Sequence, residues 1–165
     1  MKYLSKLEIL GVIRHKEEGN LKIYSIELEN DLSKLLFSIF DLERLEEVEY
    51  NRKRGIKDFL EALKEIKIPY FAILFGSTAK ENYTKESDVD MLIVYDDYKG
   101  EIVGKINKLK RKIMAERGIK INFILIKLEE FLKEKNNKNN YALQDALTTG
   151  YPIFGNQEYY AIIEK

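Results

Sequence analysis

Residues 70–95 read YFAILFGSTAKENYTKESDVDMLIVY, and this stretch decides the fold. A run of six apolar residues precedes Gly76-Ser77-Thr78, which predicts a buried strand followed by a short helical turn. Residues 80–87 are polar and are expected to form a loop. Apolar residues return from Val89 to Tyr95, so the pattern predicts a second strand that begins at Asp88.

Two carboxylates begin this second strand. Side chains alternate between the faces of a strand, so Asp88 and Asp90 are expected on the same face, roughly 7 Å apart. Their repulsion must be relieved by a proton or a cation. Oxygen ligands without Cys or His favour Mg²⁺ or Mn²⁺. Gly76 and Ser77 would add backbone N–H groups and a hydroxyl for phosphate oxygens, and a glycine allows close approach.

The order Gly-Ser, ten residues and Asp-x-Asp between two apolar strands resembles the nucleotidyltransferase superfamily that includes DNA polymerase β. It is most similar to the small single-domain branch, the minimal nucleotidyltransferases, over about residues 56–159. The resemblance implies transfer of a nucleoside monophosphate, AMP from ATP or another NTP, onto a hydroxyl with Mg²⁺ or Mn²⁺. It implies that Gly76 and Ser77 hold the triphosphate, and that Asp88 and Asp90 are the catalytic metal ligands.

The sequence leaves open which molecule accepts the nucleoside monophosphate. In this branch it can be a partner toxin protein of a toxin–antitoxin pair, a small-molecule hydroxyl or an RNA end. The resemblance also implies a third carboxylate on the next strand, where this chain has Asn122. Asn122 cannot act as a base, so a catalytically weak module that binds a nucleotide or a partner is the alternative. Other candidate carboxylates are Asp96-Asp97 and Glu129-Glu130. Glu81 stands where relatives often have a second glycine.

The N-terminal third predicts a helix, a β-hairpin and a second helix. Gly11 ends the first helix, Gly19-Asn20 forms the hairpin turn, and Asn30-Asp31 caps a helix over residues 32–50. The segment resembles the last part of a winged-helix domain without the two helices that precede it. Its acidic residues offset its basic ones, so DNA binding is disfavoured, and a DNA-binding regulator is kept as an alternative. Docking of this segment on the helix over residues 32–50 or on a second subunit, in a homodimer, is preferred.

The remaining pattern alternates helices and strands. A break is expected at the charged run 51–55, followed by a helix over residues 56–67, a helix over 101–117 and a strand over 119–126. These elements predict an α+β fold with a mixed sheet, helices on one side and the strands that begin near residues 70, 88 and 119 at its centre. The expected domains are a truncated winged-helix-like segment with a linker helix, residues 1–54, and a nucleotidyltransferase domain, residues 55–165.

Composition excludes several classes of protein. The 165 residues contain 28 basic and 28 acidic side chains, so there is no overall charge to attract nucleic acid or an anionic membrane. With no cysteine and one histidine, the chain has no disulfide, no catalytic thiol and no Cys-based or all-His zinc site. No apolar run approaches the roughly 20 residues of a membrane span, and a cytoplasmic protein is expected.

Overall fold

The computed structural model describes residues 2–163, with side chains from Tyr3 onward. Its elements, in order, are α1 (Lys2–Ile9), β1 (Ile13–Glu18), β2 (Leu21–Ile26), α2 (Asp31–Glu47), α3 (Tyr50–Ile66), β3 (Phe71–Phe75), α4 (Gly76–Ala79), β4 (Val89–Tyr95), α5 (Glu101–Arg117), β5 (Ile121–Lys127), α6 (Leu128–Glu134), α7 (Tyr141–Thr149), β6 (Tyr151–Phe154) and α8 (Asn156–Ile162). Two compact units result: Asp41–Gly155, and the residues up to Phe40 with those from Asn156 onward. The expected domain boundary after residue 54 falls inside α3 and stays a prediction.

The larger unit contains a four-stranded sheet in the order β5–β4–β3–β6. β4 is parallel to β5, whereas β3 is antiparallel to both β4 and β6. This mixed sheet with its helices confirms the predicted α+β class. The central position predicted for the strand near residue 119 is wrong, because β5 lies at an edge of the sheet. An apolar run shows that a strand is covered by other elements, but not how many strands flank it.

The long helices α3 and α5 pack on one face of this sheet, as predicted. Their apolar residues form a single core with Ala72 and Leu74 of β3. Phe71 alternates with these residues and therefore points to the opposite face. There its ring meets that of Phe131 in α6, with 5.1 Å between the centroids. Helices α3 and α5 thus lie on one side, and the short helix α6 covers part of the other.

The charged run at residues 51–55 is not a break, and the sequence-based expectation is wrong at this point. The run lies inside α3, which begins at Tyr50 after Glu49. The Glu49 carboxylate caps this helix by accepting hydrogen bonds from the backbone N–H groups of Asn51 and Arg52. Arg52 is buried and Gly55 packs against Ile119, so two residues of the run face the core.

The smaller unit contains the predicted helix and hairpin and the first part of the second helix, α2, up to Phe40. β1 pairs with β2 so that Glu18 faces Leu21, which leaves Gly19 and Asn20 as a two-residue turn. Gly19 has a φ of +61°, a conformation that glycine adopts without strain. Asn30 caps α2 through its side-chain oxygen, which accepts a hydrogen bond from the backbone N–H of Leu32. The turn and cap residues therefore set this local structure.

Among the described residues 2–163, no helix is both long enough and apolar enough to cross a membrane.

Candidate functional site

The carboxyl end of β3 and the amino ends of β4 and β5 lie next to one another, at the same ends of the strands of the sheet. The last residue of β3, Phe75, pairs with Asp90 of β4, and Asp90 pairs in parallel with Asn122 of β5. The Gly-Ser turn follows Phe75 directly. The structure therefore brings all the predicted site residues to one edge, together with the position expected for a third carboxylate: Gly76, Ser77, Asp88, Asp90 and Asn122.

Gly76 brings the backbone of the turn against the carboxylate of Asp90. Its φ is +69°, and a Cβ built on it would lie 2.4 Å from Asp90 Oδ2. Both the backbone conformation and the close approach therefore require glycine. Ser77 follows in the first turn of α4 and is half-buried, and its carbonyl accepts a hydrogen bond from the N–H of Asn82.

Asn122 links the two aspartates. Its Nδ2 donates to Asp88 Oδ2 at 2.7 Å and, with a longer contact of 3.4 Å, to Asp90 Oδ1. Asp88 and Asp90 thus lie on the same side of the strand, as their alternation predicts. The amide sits between the two carboxylates and reduces their repulsion, although it carries no charge.

The two carboxyl groups have opposite pKa shifts. The ammonium of Lys120, hydrogen-bonded to Asp88, lowers the pKa of that carboxyl, and Asn122 contributes in the same direction. Burial raises the pKa of Asp90, and the negative charge of Asp88 adds to this increase. Of the two carboxylates, Asp90 is therefore the one whose negative charge is less well compensated.

Two lysines face the carboxylates from different elements. Lys120 precedes β5, and its Nζ lies 2.8 Å from Asp88 Oδ2, although its side chain is 58% exposed. Lys110 extends from α5, and its Nζ donates to Asn122 Oδ1 at 3.4 Å. Lys120 therefore pairs directly with a carboxylate, whereas Lys110 is linked to the carboxylates through the amide of Asn122.

The ligand atoms at this edge suit a hard divalent cation. They are the oxygens of the Asp88 and Asp90 carboxylates, and oxygen ligands of this kind bind Mg²⁺ or Mn²⁺. The position of the unneutralised Asp90 beside the Gly76 backbone gives such a cation a place where phosphate oxygens can also approach. Within residues 2–163, no three His, Cys, Asp or Glu side chains converge as a complete metal site.

Arg52 is a residue of this region that the sequence analysis missed. It is 3% exposed, and its guanidinium donates to Thr78 Oγ1 at 3.1 Å, to the carbonyl of Thr84 at 2.9 Å and to the carbonyl of Asp88 at 3.4 Å. It also lies 4.5 Å from the ring centroid of Tyr83. Arg52 thereby ties α4, the polar loop and the start of β4 together. A charged residue in a charged run carries no sequence signal for such burial.

The alternative carboxylates lie elsewhere. Asp97, beyond the far end of β4, pairs with Lys127, and Glu129 pairs with Lys133 on α6. Glu81, at the position where relatives often have glycine, adopts a φ of +59°. This left-handed conformation explains why glycine suits that position, and here a glutamate accepts it at some cost in strain.

Comparison with known proteins decides the family. The sequence model of the nucleotidyltransferase domain matches residues 56–144, which is more than half of the chain. The chain belongs to the nucleotidyltransferase domain family. Nucleotidyl transfer is thus its activity at the level of the family, and the resemblance noted in the sequence is confirmed.

Two known proteins are similar to parts of this nucleotidyltransferase. A protein of Methanocaldococcus jannaschii, named as a candidate protein adenylyltransferase, is 39% identical over 95 residues, covering 53% of this chain and 84% of the relative. A solved candidate nucleotidyltransferase from Sulfolobus solfataricus is 19% identical, with a TM-score of 0.36, covering 55% of this chain and 76% of that one.

Proposed function

We propose that this nucleotidyltransferase transfers AMP from ATP to a hydroxyl group of a partner protein in the cytoplasm, with Mg²⁺ held by Asp88 and Asp90. The observation that carries the proposal is the meeting of two unequally neutralised carboxylates with the Gly76 turn at one edge of the sheet. A divalent cation would relieve the repulsion that Lys120 and Asn122 leave at Asp90, and phosphate oxygens would be further ligands of that cation.

Each site residue has a proposed role. Asp88 and Asp90 are the metal ligands, because their oxygens face the same space between β4 and β5. Gly76 and Ser77 hold the triphosphate, because the turn offers backbone N–H groups without an intervening Cβ and a hydroxyl next to them. Arg52 keeps this turn and the start of β4 in register through its three hydrogen bonds.

The reaction is an in-line displacement at the α-phosphorus of ATP. The acceptor oxygen forms a bond to the α-phosphorus, and the bond from that phosphorus to the oxygen bridging the β-phosphate breaks. Pyrophosphate leaves with the electron pair of the broken bond, and the hydroxyl proton passes to solvent. A bound Mg²⁺ supplies charge neutralisation on the phosphate oxygens.

The acceptor is proposed from the relatives. The M. jannaschii protein is named as a candidate protein adenylyltransferase, which supports a protein hydroxyl as the acceptor here. The resemblance to the minimal nucleotidyltransferases supports a partner toxin protein, whose modification would make this chain the antitoxin of the pair. The proposed role of the site residues is to bind the donor nucleotide, and none of the residues described at the site indicates the acceptor.

The proposal is tested with ATP carrying its radiolabel at different phosphates. The protein is incubated with Mg²⁺, α-labelled ATP and the product of the adjacent gene as candidate acceptor. We expect label on the acceptor from α-labelled ATP, none from γ-labelled ATP and none after EDTA is added. Absence of ATP binding both with and without Mg²⁺ would contradict the proposal, and label from γ-labelled ATP would indicate phosphorylation instead.

Asn122 favours a second candidate, a module that binds a nucleotide without efficient transfer. Its amide donates to the carboxylates and cannot take up the acceptor proton. This candidate predicts binding of Mg²⁺–ATP with little label on any acceptor. Asn122→Asp then raises the transfer rate, and an unchanged rate after this substitution would argue against a missing carboxylate as the cause.

For the smaller unit we propose a protein contact, with a partner or a second copy, rather than DNA binding. The basic side chains of its hairpin are neutralised by ion pairs that join Arg14 to Glu27, Lys16 to Glu18 and Lys22 to Glu17. A phosphate backbone is bound mainly by free cationic side chains. A salt-dependent gel shift with the DNA upstream of the gene would contradict this proposal and support a DNA-binding regulator instead. Size-exclusion chromatography tests whether the chain forms a homodimer.

A further inference from the structure

Lys110 occupies an unusual position for a lysine. Its side chain is half-buried at the site, and it forms no ion pair within residues 2–163, whereas Lys112 on the same helix pairs with Glu116. Its hydrogen-bond partner is the amide oxygen of Asn122. An ammonium held by a neutral amide next to two carboxylates keeps its charge available to a ligand.

Lys110 also determines which way the Asn122 amide points. With Oδ1 towards Lys110, the NH₂ group donates to Asp88 and Asp90. In the reversed orientation the amide oxygen would face the carboxylates and the NH₂ group would face the ammonium, so both contacts would be repulsive. Asn122 thus presents its NH₂ group to the two carboxylates and its oxygen to Lys110.

The net charge of Asn122 and Lys110 can be compared with that of a site that holds two metal ions. In sites with two divalent cations, the metals bind the attacking and leaving oxygens and are themselves held by carboxylates. A third carboxylate with a second divalent cation would add a net charge of about +1. The neutral Asn122 with the ammonium of Lys110 adds the same net charge without a metal. Lys120 is a weaker candidate for this role, because it is exposed and pairs with the carboxylate that the metal needs.

We propose that this site takes a single divalent cation, on Asp88 and Asp90, and that Lys110, held by Asn122, replaces a second cation as the positive charge facing the phosphates. This inference rests on the proposed function, since it assumes that a metal-bound nucleotide occupies the site. It makes Lys110 and Asn122 one unit, so that exchanging both residues converts the site to a two-metal site.

The test counts Mn²⁺ ions by electron paramagnetic resonance, with the non-hydrolysable analogue α,β-methylene-ATP bound to the full chain. We expect about one Mn²⁺ per chain for the wild type and about two for the double variant Asn122→Asp/Lys110→Gln. Lys108→Gln is the matched control, because Lys108 is an exposed lysine of the same helix. It should leave the count and the analogue affinity unchanged.

A second measurement uses a variant that keeps Asn122. Lys110→Gln should weaken binding of the Mn²⁺–analogue complex about tenfold, as expected for loss of a charge-assisted contact to phosphate, while Lys108→Gln changes it less than about twofold. Circular dichroism and thermal melting establish that each variant is folded. If the double variant fails to fold, the comparison of Lys110→Gln with Lys108→Gln tests the proposal on its own.

The outcomes separate the inference from the proposed function. About two Mn²⁺ per chain in the wild type, or equal affinities for Lys110→Gln and Lys108→Gln, would overturn the inference and leave the proposed function intact. A folded double variant that still binds about one Mn²⁺ would also overturn it. No binding of the analogue to the wild type in any metal would overturn the proposed function itself.

Discussion

The two ends of the β4–β5 strand pair carry the same ion pair in different surroundings. At the site end, Lys120 pairs with Asp88 at 2.8 Å, and at the far end Lys127 pairs with Asp97 at 2.5 Å. In each case a lysine of β5 or next to it faces an aspartate that flanks β4. In both cases the lysine also lowers the pKa of the aspartate.

The difference lies in what surrounds each pair. The Asp97 side chain is 70% exposed, whereas that of Asp88 is 21% exposed and has Asp90, Asn122 and Gly76 around it. The far end has its charges satisfied by one another. The site end has a second, half-buried carboxylate that its lysine leaves unneutralised. At the site end, the fold therefore holds together charged groups that the neighbouring protein groups do not fully neutralise.

The largest expected effect comes from removing that second carboxylate. Asp90→Asn should weaken Mn²⁺-dependent binding of an ATP analogue at least about 100-fold, because it removes one of two anionic metal ligands. Isothermal titration calorimetry measures the affinity, and Asp97→Asn, at the far end of the same strand, is the matched control. Equal affinities for the two variants would remove the distinction between the two ends.

Gly76→Ala tests the backbone contact that is present only at the site end. The new Cβ would meet Asp90 Oδ2 at 2.4 Å in a left-handed conformation, so the aspartate must move. We expect a loss of about 1–3 kcal/mol in stability, measured by urea unfolding, and at least about tenfold weaker binding of the analogue. Gly104→Ala, near the start of α5 with open space around the new Cβ, should instead leave binding unchanged and stabilise the fold by about 0.5–1 kcal/mol. A tolerated Gly76→Ala would contradict the proposed close approach.

Arg52→Met tests whether the site end depends on a buried support. It removes the donor to two backbone carbonyls and to Thr78, and we expect a cost of about 2–4 kcal/mol in chemical unfolding. Arg52→Lys should recover part of the loss. Arg54→Met, at an exposed position two residues along α3, should change stability by less than about 0.5 kcal/mol. Similar costs for the two Met variants would show that Arg52 has no supporting role.

The opposite pKa shifts of the two aspartates predict opposite pH dependences in the absence of metal. Asp90 has a raised pKa, so its ionisation lowers stability as the pH rises through that pKa, and Asp90→Asn should be more stable than the wild type at neutral pH. Asp88 has a lowered pKa and adds stability above its unfolded pKa, so Asp88→Asn should be less stable at neutral pH. Both differences should vanish in acid, when both carboxyls are protonated. Urea unfolding across the pH range measures them, and differences of the same sign would refute the assignment.

The smallest effect is expected at the far end. Lys127→Gln and Asp97→Asn, singly or together, should leave analogue binding unchanged and shift the melting temperature within experimental error, because exposed ion pairs contribute little. Differential scanning fluorimetry is sufficient to measure this. A loss of nucleotide binding in either variant would mean that the site extends along the whole strand pair.

Local structure followed closely from residue patterns. Gly19-Asn20 placed the hairpin turn, Asn30 placed the start of α2, and the predicted helix over residues 101–117 coincides with α5. The pairing of Asp88 with Asp90 on one face also followed, because strand periodicity is a property of the backbone. Two predictions failed: the break at residues 51–55, which lie inside α3, and the central position of the strand near residue 119, which is the edge strand β5. The burial of Arg52 was not predicted at all.

The sequence alone determined the chemistry that this chain can perform, because the Gly-Ser turn and the two aspartates are adjacent elements whose side-chain directions depend on local backbone geometry. Only the tertiary structure decided how those groups are charged. Lys110 lies on α5, Lys120 directly before β5 and Asn122 on β5, all at least 20 residues beyond the motif. The parallel pairing of β4 with β5 brings Asn122 and the neighbouring Lys120 to it, and Lys110 reaches it from α5. Electrostatic interactions depend on distance in space and not on separation along the chain, so no local pattern could reveal them.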